Sequence, residues 1–305
     1  MNTTSVKVGI VQFSAHGDDK QRNLGRAVDG VREAVAQGAH IVCLPELLAT
    51  SYFCQAEDSD RFALAEPIPG PTTHALAACA REFGVTVVGS VFEQRAPGLY
   101  HNTAVILGPD GSQLGMYRKM HVPDDPSFYE KFFFAPGDLG FVACRTPHAV
   151  VGPLVCYDQW FPEAARLATL RGADLLVYPT AIGWLQDEKA EYGPSQLDAW
   201  RTIQRSHAIA NGVFVVAVNR VGTEPGPGGG IEFWGHSFVC DPFGVVLAEA
   251  GQQDEVLVVT CDFQRIAGAR QGWPFLRDRR IDAYQGLESR WLEGKPSAPV
   301  PGIRQ

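Results

Sequence analysis

Four side chains of this sequence set a chemical reading beside a bland one, which is a buried structural thiol for Cys156, a solvated loop carboxylate for Glu46, a surface lysine for Lys119 and a surface ion pair for Glu130. Cys156 lies in "VGPLVCYDQWFPEAARLATL" (151–170), where an apolar strand gives way to a helix. A free thiol ionises near pH 8.5, about a unit and a half too high to be a nucleophile unaided, so a base or a positive field has to activate it. Glu46 closes the apolar run "IVCLPE" and is followed by "LLA". A carboxylate there is costly unless paired, and desolvation moves its pKa toward the range a general base needs. Lys119, in "YRKMHVP", follows a predicted hairpin strand. A lysine so placed can hold a developing oxyanion. Its neighbour Arg118 should face the other way, because successive side chains of a strand point to opposite faces. Glu130, in "SFYEKFFFAPGD", is set among Phe128, Tyr129, Phe132, Phe133 and Phe134. That setting points to a pocket wall holding one polar group rather than to a surface pair with Lys131.

Competing chemistries leave weaker traces. Seven cysteines are scattered at 43, 54, 79, 144, 156, 240 and 261, with no C-x-x-C among them, so neither a zinc site nor a dithiol is indicated. Cys43, Cys79, Cys240 and Cys261 fall in strand or helix patterns and read as inert core. His121, His207 and His236 are candidates for a Cys–His pair, but none has a local protease motif. A redox-sensing thiol lacks a visible resolving cysteine. "GPGGG" (226–230) does not join a strand to a helix and is read as a loop, not a phosphate cradle.

The elements that must position these groups are written twice. The first half reads as strand 6–13, helix 19–38, strand 39–46, helix 72–84 with Gly84 as its C-cap, strand 85–93 and a hairpin over 102–119. The second reads as strand 149–156, helix 162–172, strand 173–180, helix 195–212, strand 213–222, a hairpin over 236–251 and a closing strand 255–263. "GAHIVCLPE" aligns with "GADLLVYPT" without a gap, and "LGPDGSQL" corresponds to "CDPFGVVL". The expected fold is α/β, a four-layer α-β-β-α sandwich of two pseudo-symmetric halves. Residues 1–285 form one expected domain, and 286–305, rich in Pro and Gly toward its end, an extension or arm. The repeat breaks at the chemistry. Glu46 has Thr180 as its counterpart, and Cys156 has Phe13, each at a strand's C-terminal end, where open α/β sheets place their sites.

Bulk properties exclude other roles. The 305 residues carry 34 Asp and Glu against 26 Lys and Arg, a net charge of -8, so no basic face is available for nucleic acid. No apolar run reaches the length of a membrane helix. The N-terminus passes at once into a strand, which leaves no room for a signal peptide, and a cytoplasmic protein with reduced thiols is expected.

Together the motifs carry a resemblance. "LPELLAT" at Glu46, "YRKMHVP" at Lys119, "VCYDQWFPEAAR" at Cys156 and "YEKFFFAPGD" at Glu130 resemble the nitrilase superfamily of carbon–nitrogen hydrolases over residues 5 to 285. Within it, "KMHVPDDPSFYEKFFFAPGD", "YPTAIGW" and "FLRDRR" are most similar to the N-carbamoylputrescine amidohydrolase branch. The resemblance implies the sandwich inferred from the repeat, homo-oligomers, and no metal or organic cofactor. It implies Glu46 as base, Cys156 as nucleophile, Lys119 with the backbone N–H of Tyr157 as oxyanion partners, and Glu130 as an orienting group. The implied substrate is a small N-carbamoyl amine or amide. A cationic tail would need carboxylates, for which Asp124, Asp125, Glu188 and Glu191 are candidates, with Tyr52 and Trp160 lining the path. Alternatives are an N-carbamoyl-β-amino acid hydrolase, an omega-amidase, or, in another class, a non-catalytic scaffold. The chain departs from the branch at Tyr157, at Ser206-His207 and in an expected loop over 184–196.

Overall fold

The computed structural model describes residues 5–292. In the first half the chain forms β1 (Ser5–Gln12), α1 (Lys20–Ala36), β2 (Ile41–Cys43), α2 (Pro71–Phe83), β3 (Thr86–Ala96), β4 (Leu99–Leu107) and β5 (Gln113–Arg118). A one-turn α3 (Glu130–Phe133) and the short β6 (Cys144–Arg145) lead into the second half. The second half opens with β7 (Val150–Pro153), α4 (Pro162–Leu170), β8 (Leu175–Pro179), β9 (Gly183–Leu185), α5 (Gln186–Asn211) and β10 (Phe214–Val218). The chain continues through β11 (Val221–Glu224), β12 (Ile231–Trp234), β13 (Phe238–Cys240), β14 (Val246–Glu249), β15 (Glu255–Asp262) and α6 (Gln264–Gly272).

Two six-stranded sheets result, ordered β15-β1-β2-β3-β4-β5 and β14-β13-β10-β8-β7-β6. Read from opposite ends the orders are equivalent: a parallel trio, two antiparallel strands beyond it, and one antiparallel strand on the other side. Strand alternation builds the layers. In β1, Val6, Val8 and Ile10 face the second sheet and meet Val177, Phe214, Val216 and Val218, while Val11 turns to Ala27, Val31 and Ala34 of α1. In β10, Val215 and Ala217 turn instead toward Trp200 and Ala208 of α5. The order is therefore helices, sheet, sheet, helices: the α-β-β-α sandwich the repeat implies. Matching glycines let each helix close on its sheet. A Cβ at Gly9 would stand 3.0 Å from that of Ala34, and one at Gly152 would stand 3.1 Å from that of Ala168.

Three expectations are corrected. The strand 255–263 closes the second half in sequence, but β15 pairs antiparallel with β1 in the first sheet. In the same way β6 leaves the first half and pairs with β7, so each half ends on a strand lent to the other sheet. The expected loop 184–196 is mostly helix: α5 begins at Gln186 and carries Pro194 inside it. The proline looked like a stop, but the chain stays helical there, with Gly193 buried beneath the Trp184 indole, which donates to its carbonyl at 3.1 Å. The strand 213–222 is interrupted at Asn219 and Arg220, and β11 and β12 form a small third sheet with β9. The expected extension 286–305 lies outside the described residues from 293 on. No helix among the described residues is long and apolar enough to cross a membrane, and all seven cysteines are buried and unpaired.

Candidate active site

β7 stops at Pro153, and Leu154 and Val155 carry the chain, fully buried, to Cys156. Cys156 opens a one-turn 3-10 helix (Cys156–Trp160) and takes φ +42°. A left-handed conformation costs a non-glycine residue on the order of 1–3 kcal/mol and survives only where its surroundings impose it. On the other sheet, Glu46 sits in the turn after β2, and its neighbour Leu47 is also left-handed, at φ +47°. Both reactive groups thus stand on tight turns at the C-terminal ends of parallel strands.

Lys119 follows β5 and joins the two acids. Its Nζ lies 2.9 Å from Glu46 Oε1, and 2.9 and 2.6 Å from the two oxygens of Glu130. Lys119, Glu46 and Glu130 are all buried. Arg118 turns the other way, to Glu93 at 2.6 Å. Glu130 further accepts from the Tyr52 hydroxyl at 2.7 Å, and Glu46 Oε1 from Asn102 Nδ2 at 2.7 Å. Asn102 is oriented by Ser90, whose hydroxyl donates to its Oδ1 at 2.9 Å. With Oε1 engaged twice, Glu46 Oε2 is buried and without a protein partner. It is the one oxygen of the acid pair free to take a proton from an incoming group.

Electrostatics separate the roles. Burial opposes the Lys119 charge, but Glu130, Glu46 and Cys156 overcome it and hold the ammonium well above its ordinary pKa. Burial lifts the Glu130 carboxyl above the carboxylate range, with Lys119 pulling against it. Burial and then Glu46 push the Cys156 thiol well above its ordinary value, and Lys119 only partly offsets them. The resting thiol is therefore neutral, and its nucleophilicity must come from a base during attack rather than from a preformed thiolate. None of the three candidate histidines pairs with it. His121 Nδ1 lies 2.7 Å from Asp158, His207 Nε2 2.7 Å from the Gln159 carbonyl, and His236 Nδ1 2.9 Å from Glu249.

Cys156 opens onto a cavity of about 310 Å³. Tyr157, Trp160, Phe128 and Trp234 supply its aromatic wall, and Asp125, Glu130 and Glu188 its carboxylates; among the described residues no lysine or arginine lines it, and Lys119 lies behind Glu130, paired with it at 2.6 Å. Glu188 is held by Gln196 Nε2 at 3.0 Å. Of the other tail candidates, Asp124 and Glu191 are exposed and outside the cavity wall, and Tyr52 lies behind Glu130 rather than along the path. The sequence reading also missed supporting residues, Arg220 above all. It is 2% exposed and reaches from the second half to the carbonyls of Glu46 (2.9 Å), Leu47 (2.5 Å) and Thr50 (2.9 Å), while pairing with Glu224 at 2.8 Å. Its only signal was a charge inside "VFVVAVNRVG".

Comparison with known proteins shows the family and the fold. The carbon–nitrogen hydrolase family model matches residues 7–271. The chain is 44% identical to an N-carbamoylputrescine amidase of Arabidopsis thaliana, over 92% of this chain and 95% of that protein. It is 37% identical to a citrullinase of Francisella tularensis, over 93% of this chain and 98% of that protein. A crystal structure of a carbon–nitrogen hydrolase from Helicobacter pylori G27 superposes with a TM-score of 0.92 at 45% identity, covering 94% of this chain and all of that one.

Proposed function

From a chain that belongs to the carbon–nitrogen hydrolase family, within the nitrilase superfamily, we propose hydrolysis of an N-carbamoyl amine with a cationic tail, N-carbamoylputrescine foremost. The chain is a cysteine-dependent amidohydrolase by family. Its substrate is read from the cavity. The observation that carries the reading is the cavity wall away from the buried Lys119, which holds Asp125 and Glu188 and, among the described residues, no basic side chain. An ammonium tail finds carboxylates there, whereas the carboxylate of an N-carbamoyl-β-amino acid would find no cation and would be buried unpaired.

In this reading Glu46 Oε2 takes the thiol proton as Cys156 Sγ attacks the ureido carbon. Lys119 Nζ and the Tyr157 N–H, at the open start of its 3-10 turn, hold the oxyanion. Glu46 returns the proton to the departing amine nitrogen, leaving an S-carbamoyl cysteine and free putrescine. Water, deprotonated by Glu46, then adds to the carbamoyl carbon. The C–S bond breaks, the thiol is reprotonated, and the released carbamic acid decomposes to carbon dioxide and ammonia. Glu130 keeps Lys119 charged and aimed. Self-association fits the exposed apolar side chains of Trp273, Phe275, Ile281, Leu287 and Trp291. A reducing, cytoplasmic setting fits the unpaired thiols.

Ammonia release from N-carbamoylputrescine beside N-carbamoyl-β-alanine at matched concentrations tests the substrate. Strong preference for the first is expected, and preference for the second would overturn the reading. Cys156→Ala should be folded and inactive; near-normal turnover would remove Cys156 as nucleophile. Asp125→Asn should raise KM for the cationic substrate and spare kcat for a neutral amide, and an unchanged KM would take Asp125 out of tail recognition.

A further inference from the structure

The left-handed Cys156 has to be held, and one carboxylate two residues on is placed to hold it. Asp158 is fully buried, lies outside the cavity wall and takes no part in the proposed reaction. Its Oδ2 accepts from the Val155 N–H at 2.9 Å and from the Tyr117 hydroxyl at 2.9 Å. Its Oδ1 accepts from the His121 backbone N–H at 3.1 Å and from His121 Nδ1 at 2.7 Å. Val155 directly precedes the nucleophile. Tyr117 and His121 stand two residues before and two residues after Lys119.

The direction of each bond is determined. The two backbone groups can only donate. The Tyr117 hydroxyl accepts from the Met120 N–H at 3.2 Å and so gives its own hydrogen to Asp158. A carboxylate only accepts, so His121 Nδ1 carries the proton. Phe161 covers the far side of the His121 ring, stacked at 3.8 Å between centroids and 4° between planes. Four donors converge on two oxygens and tie the turn before Cys156 to both sides of Lys119.

We propose that Asp158 is a positioning residue that sets the Cys156 thiol and the Lys119 ammonium in mutual register, with Tyr117 and His121 as its anchors on the lysine segment. The nucleophile and the oxyanion partner come from different halves of the chain, and both must meet one substrate carbon. A displacement of about 1 Å between such groups costs on the order of 100-fold in rate. This rests on the reading of Cys156 as nucleophile and Lys119 as oxyanion partner.

The test is Asp158→Asn, which keeps the shape but has one accepting oxygen. Whichever way the amide turns, its NH2 faces a backbone N–H, of Val155 or of His121. For N-carbamoylputrescine we expect kcat to fall about 100-fold with KM, and the inhibition constant of putrescine as a tail probe, unchanged within about threefold. A purely structural Asp158 would lower the melting temperature and leave kcat of the folded enzyme intact, which would overturn the proposal. If Asp158→Asn does not fold, Tyr117→Phe and His121→Ala carry the test, each removing a side-chain donor from one oxygen. Each should cost about tenfold in kcat at constant KM, and kcat within about twofold of the parent in both would overturn it. Cys156→Ala runs in parallel. If it stays active the nucleophile reading fails; if it is dead while Asp158→Asn is fully active, only the present inference fails.

Discussion

At the scale of single residues, the site pairs its ammonium with two carboxylates and leaves its thiol uncharged. The Cys156 thiol, raised by burial and then by Glu46, is protonated at neutral pH. Its reaction with a neutral alkylating agent such as iodoacetamide should therefore climb about tenfold per pH unit and still be rising at about pH 9. A plateau below about pH 7, the mark of a preformed thiolate, would contradict the general-base scheme. Under the proposed scheme turnover should not follow that slope, since the Glu46 oxygen left unpartnered would accept the proton within the complex. Lys119 has the converse requirement. Glu130→Gln removes the carboxylate that approaches it to 2.6 Å, and we expect kcat to fall by about 10- to 100-fold, as for loss of an oxyanion donor's alignment; an unchanged kcat would show that Glu46 alone suffices. Glu46, Lys119, Cys156 and Glu130 were legible in the sequence as candidates because four motifs stand in order over the repeat, whereas any one charge or thiol in an apolar setting also has a bland explanation. Asp158 and Arg220 were not. Their partners are up to 41 and 174 residues away, and nothing local distinguishes a bracing carboxylate or guanidinium from a solvated one.

At the scale of elements, the strands' ends matter more than the strands. Periodicity found nearly every long helix and strand, because burial on one face leaves a period of 2 or 3.6 in the sequence. It could not find the two tight turns that carry Glu46 and Cys156, since a positive φ at Leu47 and Cys156 is imposed from outside. Each turn is held from the opposite half: Asp158 through Tyr117 and His121 for one, Arg220 for the other. Arg220 grips three carbonyls around Glu46 while neutralised by Glu224, which also accepts from the Tyr52 N–H at 2.5 Å. Arg220→Met would strand that buried carboxylate, and removing one partner of such a pair costs about 3–5 kcal/mol. Chemical denaturation should register that loss, and Arg220→Met with Glu224→Gln should recover part of it. If the double variant were as unstable as the sum of the single ones, the guanidinium's contribution would lie in its carbonyl bonds alone.

At the scale of the whole molecule, the repeat explains both what the sequence disclosed and what it concealed. Two homologous halves were visible in "GAHIVCLPE" and "GADLLVYPT". Their exchange of final strands was not, because β15 has the same alternating apolar pattern whichever sheet it joins. That exchange has a thermodynamic consequence. β15 pairs with β1 over eight residues, Ser5 to Gln12, and places Val259 and Cys261 in the layer between the sheets. β6 seals the second sheet with residues from the end of the first half. Neither half can open without exposing an edge of its neighbour's sheet, so the halves should unfold together although a chain of this length is free to unfold stepwise. The residue distribution supplies separate probes. All six tryptophans, at 160, 184, 200, 234, 273 and 291, belong to the second half and the C-terminal segment beyond it, whereas Cys43, Cys54 and Cys79 are buried in the first. Tryptophan fluorescence and thiol accessibility of a variant retaining only those three cysteines should show the same denaturant midpoint. Replacing Val259 by Asp, a charge set between the sheets, should shift both midpoints downward together. Two separated midpoints, or a shift confined to the thiol probe, would mean that the lent strands are attachments and that each half is stable alone.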